Sequence, residues 1–416
     1  MQRPLYKNRV FITGLGVISP LGCSTGAFWT GLLDGRSGVR TVQNIDLSHS
    51  RSRVGGQAID FDPARLFSTR EQKRLSRSSQ MAVVAATEAI QDAGVNLEET
   101  DPADVGVILG SSIGGFSAVE ASFMQFFKTS SVDPLTVPRV MNNGPACNVS
   151  IRFGFQGPTM AVDSACSSGT HAVGVAFSLI QSGMISMAVT GGADSPFSPG
   201  VVQSWSDLRL LSTRNEPPSE ACRPFSKDRD GLVLGEGAGV LMLESEDAVR
   251  RRKARVYAEV TGYGATNDDV HLTQPSRVGI GGAMQRALLD AGLEGEQIDY
   301  INAHATGTPW NDRTETEAIK EVFGDRARQI PVVGIKGATG HAIAASGALE
   351  LVSCALSIRD QAVPPTLNVK TPDPECDLDY VTEGRRGLPL THVMSNSFAF
   401  GGSNAVLIVS RCEAEV

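Results

Sequence analysis

Val10-Phe11-Ile12-Thr13-Gly14-Leu15-Gly16, near the start of the chain, returns past its middle as Ala258-Glu259-Val260-Thr261-Gly262-Tyr263-Gly264. Each is a short apolar run closed by T-G-x-G. Behind each comes the end of an amphipathic helix, Ala89-Ile90-Gln91-Asp92-Ala93-Gly94-Val95 in the first case and Ala287-Leu288-Leu289-Asp290-Ala291-Gly292-Leu293 in the second. A glycine stops each helix, as a left-handed C-terminal cap requires. An apolar strand follows, Val105 to Leu109 and Ile298 to Ala303, and then a loop rich in Gly, Ser and Thr. A third echo pairs Met160-Ala161-Val162-Asp163 with Ile330-Pro331-Val332-Val333-Gly334. Three elements recurring in one order predict two similar α/β halves, residues 1–253 and 254–416, packed around a pseudo-twofold axis. Short apolar runs alternating with helices predict mostly parallel sheets covered on both faces. Ligands then bind beyond the carboxyl ends of the strands.

Composition narrows the function classes. The 416 residues carry a net charge of −8, which argues against a dedicated nucleic-acid binder. No apolar run approaches the ~20 residues of a membrane helix. The opening MQRPLYKNRVFITGLG lacks the apolar stretch and cleavage site of a signal peptide. Seven scattered cysteines without a CxxC pair predict neither a disulfide framework nor structural zinc, and point to a reducing, cytoplasmic home. Glycine is abundant, 44 residues, so tight turns and close backbone approaches are expected.

Three residues stand where chemistry is expected. Cys166 follows the strand-like Thr159-Met160-Ala161-Val162 and precedes an apolar helix, His171 to Gln181. A thiol on a strand-to-helix turn meets the positive end of the helix, which favours thiolate, and free N–H groups there can hold an oxyanion. His304 ends the strand Tyr300–Ala303, ahead of the acid-rich Asp312, Glu315 and Glu317. His341 follows the strand Val332–Ile335 and opens a helix of small residues, Ala342 to Leu356. Taken singly, the context of Cys166 favours function over a buried packing thiol, while a lone histidine is more often structural; the matching positions in the two halves favour a shared site. Competing motifs fail. No stretch fits G-x4-G-K-[ST], the G-x-G-x-x-G pattern breaks at Ser19, and no closely spaced metal ligands occur, so no metal is expected. Gly235-Glu236-Gly237-Ala238-Gly239 reads as a turn needing positive φ. One thiol with two histidines suits carbon–carbon bond formation on an acyl thioester. Two neutral imidazoles can both donate to one thioester oxygen. Lys336 would either keep a nearby imidazole neutral by charge repulsion or order a carboxylate, and Glu350 is the obvious acidic mate.

At these residues the chain resembles the β-ketoacyl-[acyl carrier protein] synthases, most closely those of the synthase II type. The resemblance runs from Val10–Gly16 through Leu211-Ser212-Thr213-Arg214-Asn215, Arg229-Asp230-Gly231, Gly235–Gly239 and Arg359-Asp360-Gln361-Ala362-Val363-Pro364-Pro365-Thr366 to Asn396-Ser397-Phe398-Ala399-Phe400-Gly401-Gly402-Ser403-Asn404. It implies an acyltransferase of fatty-acid or polyketide-type chain elongation with the α/β thiolase fold, five layers αβαβα in two pseudo-symmetric halves, dimeric through the N-terminal half. Cys166 would carry the acyl chain. His304 and His341 would bind the malonyl thioester, with Lys336 and Glu350 in support. The N–H groups of Cys166 and Phe400 would form the oxyanion hole, and Phe400 and Ile113 would be gates. Thr306 and Thr308 would hold the phosphopantetheine arm of an acyl carrier protein, with no permanently bound cofactor. Such an acidic partner needs a basic surface, expected at Arg70, Lys73, Arg74, Arg77 and Arg209. The dimer mate is a second copy or a chain-length-factor-like subunit. A non-catalytic chain-length partner would lack Cys166, and a thiolase would carry a second cysteine within Ser395–Asn404, where there is none.

Three stretches depart from the family pattern. Ala399 stands where glycine is usual and restricts φ in the gate loop. Ile335-Lys336-Gly337-Ala338-Thr339-Gly340 lacks the hydroxyl residue common before the lysine. Pro134-Leu135-Thr136-Val137-Pro138 has leucine and threonine where aromatics are common, which predicts a larger acyl pocket and an atypical acyl specificity.

Overall fold

The computed structural model describes residues 8–412; the first seven residues, part of the stretch read as leaderless, and 413–416 at the end of the second half lie outside them. Among the described residues, ten strands form one hydrogen-bonded sheet. They are β1 Val10–Ile18, β2 Val105–Gly110, β3 Thr159–Val162, β4 Met187–Asp194, β5 Gly237–Ser245, β6 Ala258–Asn267, β7 Tyr300–Asn302, β8 Val332–Val333, β9 His392–Phe398 and β10 Ser403–Ser410. Their order across the sheet is β8-β7-β9-β10-β6-β1-β5-β4-β2-β3. Outwards from the centre, β1-β5-β4-β2-β3 on one side matches β6-β10-β9-β7-β8 on the other, step for step. The central pair, β1 and β6, is antiparallel, with Val10 opposite Val260.

Six helices fill matching places: α1 Arg77–Ala93, α2 Gly144–Phe153, α3 Ser168–Gln181, α4 Arg277–Ala291, α5 Pro309–Phe323 and α6 Ser346–Asp360. Helices α1 and α2 cover the outer face of β1–β5. Helices α3 and α6 lie together between the two halves of the sheet, and α4 and α5 cover the outer face of β6–β10. These are the five layers of the expected fold. The expectation of mostly parallel sheets needs correction. Only β2 with β3 and β4, and β7 with β8 and β9, pair in parallel; β5 and β10 run antiparallel to both neighbours. Parallel pairing occurs where a helix crosses over between strands. Between β9 and β10 the link is only Ala399 to Gly402, too short for a crossover, so the chain returns antiparallel there.

The recurring T-G-x-G has a packing cause. A Cβ on Gly14 or Gly16 would overlap the carbonyl oxygens of Ala89 and Ala85 on α1; on Gly262 or Gly264 it would overlap those of Ala287 and Ala283 on α4. The glycines let a helix lie directly on the strand backbone, and the alanines facing them are small for the same reason. Asp92 then accepts a hydrogen bond from the Leu15 N–H (3.0 Å), and Asp290 accepts one from Tyr263 (3.1 Å). Gly94 (φ 64°) and Gly292 (φ 68°) cap the helices in the left-handed conformation, as expected. Gly235, Gly237 and Gly239, read as a positive-φ turn, are corrected: none is among the positive-φ residues. They belong instead to a close approach, in which a Cβ would press on the backbone of Thr339, Ile18 and Ala348 respectively.

Replacing Gly16 by alanine should therefore cost about 1–3 kcal/mol or more, as overpacking does. Gly26→Ala, where the added carbon meets open space, should stay within about 0.5 kcal/mol. Thermal unfolding of the two variants beside the parent checks this, and equal melting temperatures for both would contradict it.

Candidate active site

Cys166 lies in a single 3-10 turn, Ala165–Ser167, between β3 and α3. The turn is strained: Ala165 has φ 51°, a conformation that costs a non-glycine residue ~1–3 kcal/mol. Ser168 holds it closed, accepting from the Ser164 N–H (2.9 Å) and donating to the Ala165 carbonyl (2.6 Å). The same geometry recurs in the other half, where Ile343 (φ 47°) opens the 3-10 turn Ile343–Ala345 ahead of α6. Ala344 thus occupies the counterpart of Cys166. A third strained residue, Ala305 (φ 46°), follows His304.

Cys166, His304 and His341 line one cleft, open to solvent, together with Thr306, Thr308 and Phe400. The two imidazoles meet edge to face, with centroids 5.4 Å apart. Both are buried. For His341, the backbone N–H of Ile343 donates to Nδ1 (3.2 Å), and the Ser346 hydroxyl lies 2.9 Å from the same atom. Nδ1 is therefore an acceptor, and the ring proton of the neutral imidazole sits on Nε2. For His304, the Lys336 amine lies 3.4 Å from Nδ1 and donates to the His304 carbonyl, which gives the same tautomer. Burial first, then the Lys336 charge, holds both imidazoles well below the usual histidine range; His341 adds to the effect on His304. Both rings are thus neutral at pH 7. Neither Nε2 has a protein partner among the described residues.

Lys336 and Glu350 stand behind the cleft rather than in it. They form a completely buried ion pair, and burial lifts the Glu350 carboxyl to about 7 against the pull of Lys336. Lys336 belongs to a short helix, Lys336–Thr339, that precedes His341; the helix expected to open at His341 begins instead at Ser346. The sulfur also differs from expectation. Burial pushes the Cys166 thiol up to about 12, against Lys336 and against the N–H groups of Phe400 and of Cys166 itself. Desolvation of a charge outweighs the helix end, so the resting group is a thiol, not a thiolate. Those two N–H groups are the pair expected to make the oxyanion hole, and both act on the sulfur.

The remaining expected residues sort as follows. Thr306 and Thr308 face each other at 2.9 Å, and Thr308 also caps α5. Phe400 stacks on Trp205, with centroids 5.6 Å apart. Ala399 is extended (φ −133°), so its side chain introduces no strain into the loop as it stands. Ile113 does not line the cleft. It packs one layer behind, in an apolar cluster with Leu232, Leu234, Phe197, Ile343 and Trp205. Arg70, Lys73 and Arg74 lie exposed on the helix Thr69–Arg74, and Arg209 is exposed too. Arg77 is the correction: it starts α1 and turns inward onto the buried Glu236 (2.6 and 2.8 Å) and the Ala58 carbonyl. Thr136, read as widening the acyl pocket, has its hydroxyl 2.6 Å from that of Ser122.

Sequence reasoning missed the residues that aim the imidazoles. Glu315 accepts the backbone N–H groups of His304 (2.8 Å) and Ala305 (2.9 Å); it was visible only as one of three acids opening α5. Ser346 and Ile343, which fix the His341 tautomer, gave no signal beyond their place after it.

Comparison with known proteins agrees with this geometry. The family model described as "Beta-ketoacyl synthase, N-terminal domain" matches residues 7–248, and "Beta-ketoacyl synthase, C-terminal domain" matches residues 257–370. The chain is 40% identical to 3-oxoacyl-[acyl-carrier-protein] synthase 2 of Staphylococcus aureus (strain COL), over 98% of this chain and 99% of that protein. It is also 40% identical to the protein of the same name from Synechocystis sp., over 97% and 98%. Among solved structures, the ishigamide ketosynthase/chain length factor superposes with a TM-score of 0.92 at 34% identity, covering 98% of this chain and 100% of that one. A ketosynthase in complex with its type II PKS acyl-carrier protein and bound to the hexaketide superposes at 0.91 with 31% identity, covering 98% and 100%.

Burial lowers the histidine pKa values, so the neutral rings should persist below the ordinary value of ~6.5. Nitrogen-15 spectra of labelled imidazoles should show His304 and His341 as neutral Nε2–H tautomers from pH 8 down to pH 6. The unfolded chain binds those protons near 6.5 and the folded chain does not, so this contribution to stability is lost as pH falls below that value. Titration of either ring near pH 6.5 would contradict the assignment.

Proposed function

The chain belongs to the β-ketoacyl synthase family, so it is a condensing acyltransferase, and we propose how its site runs a decarboxylative Claisen condensation. Cys166 attacks the carbonyl of an acyl thioester carried on the phosphopantetheine of an acyl carrier protein. Its proton passes to water in the open cleft as the carbon–sulfur bond forms, because each imidazole already carries a proton on Nε2 and has Nδ1 engaged on the protein side. The oxyanion is met by the Cys166 and Phe400 N–H groups. The bond to the pantetheine sulfur then breaks, and that sulfur takes up the proton. A malonyl thioester follows, its carbonyl oxygen accepting from Nε2–H of both His304 and His341. Carbon dioxide departs, its bonding electrons pass into the enolate, and the enolate carbon attacks the acyl group on Cys166. The new carbon–carbon bond replaces the carbon–sulfur bond, and the departing sulfur takes a proton from water in the cleft. Thr306 and Thr308 steady the pantetheine arm at the cleft wall.

One observation carries this reading: both imidazoles keep Nδ1 occupied from the protein side, which leaves two neutral Nε2–H donors for one oxygen. Lys336 and Glu350 are positioning residues in it. A non-catalytic chain-length role is disfavoured by Cys166 on its strained turn.

Carrier docking falls to Arg70, Lys73, Arg74 and Arg209, and not to Arg77. The dimer face belongs to the N-terminal half. Strand β3 is a sheet edge with one neighbour, and the helix Phe116–Thr129 exposes Phe123, Met124, Phe126 and Phe127, the last at 83%. Aromatic exposure on that scale suits an interface, occupied by a second copy or a related subunit. The half boundary is placed near residues 253–254. Among the described residues no helix is long and apolar enough to cross a membrane; a cytoplasmic setting rests on the unpaired cysteines. The departures at Leu135 and Thr136 support an acyl specificity outside ordinary saturated chains.

Cys166→Ala should abolish condensation while malonyl-carrier decarboxylation continues, and His304→Ala or His341→Ala should slow carbon dioxide release about 10²–10³-fold. Product formed at the parent rate by Cys166→Ala would end this reading. Arg74→Glu should raise the carrier KM severalfold at low salt, with the effect fading as salt screens it. Arg77→Glu should instead lower the melting temperature, because it leaves Glu236 buried beside a like charge.

A further inference from the structure

Where the first T-G-x-G stretch has Leu15, the second has Tyr263. The phenol crosses to helix α3 and lies on Gly174, where a Cβ would come within 2.4 Å of the ring. Its hydroxyl lies 2.6 Å from Nδ1 of His171, one turn before Gly174 on the same helix. Nε2 of His171 lies 3.0 Å from the Ser403 hydroxyl. Burial lowers the His171 pKa, so at neutral pH the ring is uncharged, donating to one hydroxyl and accepting from the other. Its neighbour Thr170 shares a hydrogen bond with the Ser397 hydroxyl (2.7 Å). Ser397, near the end of β9, and Ser403, the first residue of β10, flank the loop that carries Phe400. Consecutive residues in the first turn of α3, the helix that starts just behind Cys166, thus hold both ends of that loop. The sheet hydrogen bonds of β9 and β10 register them against neighbouring strands and not against α3.

Resting on the condensation reading above, we propose that His171 is a positioning residue for acyl transfer, holding the Phe400 N–H where it and the Cys166 N–H meet one oxyanion. The two donors come from different segments, the turn after β3 and the loop after β9. Such a pair works only when both donors stand about 2.7–3.1 Å from the same oxygen. Thr170 and Ser397 are buried and fix the loop where it leaves β9. His171 fixes it where it enters β10. Between Phe400 and that second anchor lie Gly401 (φ 80°) and Gly402 (φ 71°), which give the backbone little stiffness of its own. Without the bond from His171, the loop turns on those glycines and the Phe400 N–H leaves the oxygen. Tyr263 holds the imidazole in place; a leucine there, as in the first half, would leave Nδ1 without its partner. The malonyl carbonyl is met by His304 and His341 instead, so His171 serves the acyl carbonyl on Cys166.

The test times two steps separately. Transfer of an acyl group from its carrier to Cys166 is followed by rapid quench and the mass of the protein. Carbon dioxide release from malonyl carrier is followed in the Cys166→Ala background, where no acyl group is taken up. His171→Phe keeps a ring and removes both hydrogen bonds. It should slow acyl transfer about 10–100-fold at saturating carrier, the scale of a small misplacement, with the carrier KM little changed, and should slow carbon dioxide release far less. His171→Gln, whose amide both donates and accepts, should recover most of the transfer rate. Ser403→Ala removes the partner at the loop end and should reproduce the His171→Phe defect, and the double variant should be no slower than either alone. Ser403→Ala leaves His171 in place and keeps the proposal testable if His171→Phe does not fold. The proposal is overturned if either single variant transfers the acyl group at the parent rate, or if their losses add in the double variant. It is equally overturned if both steps fall alike with a lowered melting temperature, which would make His171 a structural residue. A parent that takes up no acyl group on Cys166 would instead overturn the condensation reading itself.

Discussion

Two strand-to-helix turns press backbone to backbone at the pseudo-twofold axis, and the site is organised around that contact. A Cβ on Gly169 or Gly192 would press on the Ala344 carbonyl, and one on Gly347 would overlap the Thr170 hydroxyl. Only glycine permits helices α3 and α6 to begin so close together. That proximity carries Cys166 from one half to the histidines of the other. It also explains the strain at Ala165 and Ile343: each turn bends away from the other within one residue and is over-determined by its neighbours.

Burial is the second organising force. It costs a charge far more than it costs a neutral dipole, so both imidazoles, the Cys166 thiol and two neighbouring glutamates are pushed toward their neutral forms. The imidazoles stay neutral, the thiol stays protonated, and Glu350 and Glu315 are each lifted to about 7. A site of neutral donors suits a reaction in which negative charge appears only transiently, first on a thioester oxygen and then on an enolate. The donors are fixed before that charge develops and need no reorganisation when it does.

The duplication was legible because it is written in small residues with rigid spacing. T-G-x-G and D-A-G mark where a helix lies on a strand and where it stops. The convergence of Cys166, His304 and His341 on one cleft was legible because reactive side chains stand at the matching ends of strands. The antiparallel placement of β5 and β10 was not legible, since apolar runs look alike in either direction. Nor was the inward turn of Arg77. Its spacing from Arg70, Lys73 and Arg74 suggested one helix face, but a break at Leu75 and Ser76 separates two helices. The thiol state was misread because a sequence shows the helix end beside Cys166 and not the depth at which it is buried. Glu315 and Ser346 act on backbone and ring atoms through tertiary geometry that no local pattern encodes.

The two halves share a frame and divide the work. Ala165-Cys166-Ser167-Ser168-Gly169 and Ile343-Ala344-Ala345-Ser346-Gly347 take the same path, yet one carries a thiol and the other a methyl group. Two sulfurs at that crossing would compete for one space and for one set of N–H donors. With Ala344 in place, its N–H is free to bind Asp194, and the turn becomes a support for His341. In the first half the position matching His341 is Asp163, exposed and accepting a hydrogen bond from Asn142 (2.8 Å). Symmetry of the backbone therefore fixes where reactive groups can stand, and the loss of one reactive residue from each pair leaves a single site with distinct roles on its two sides.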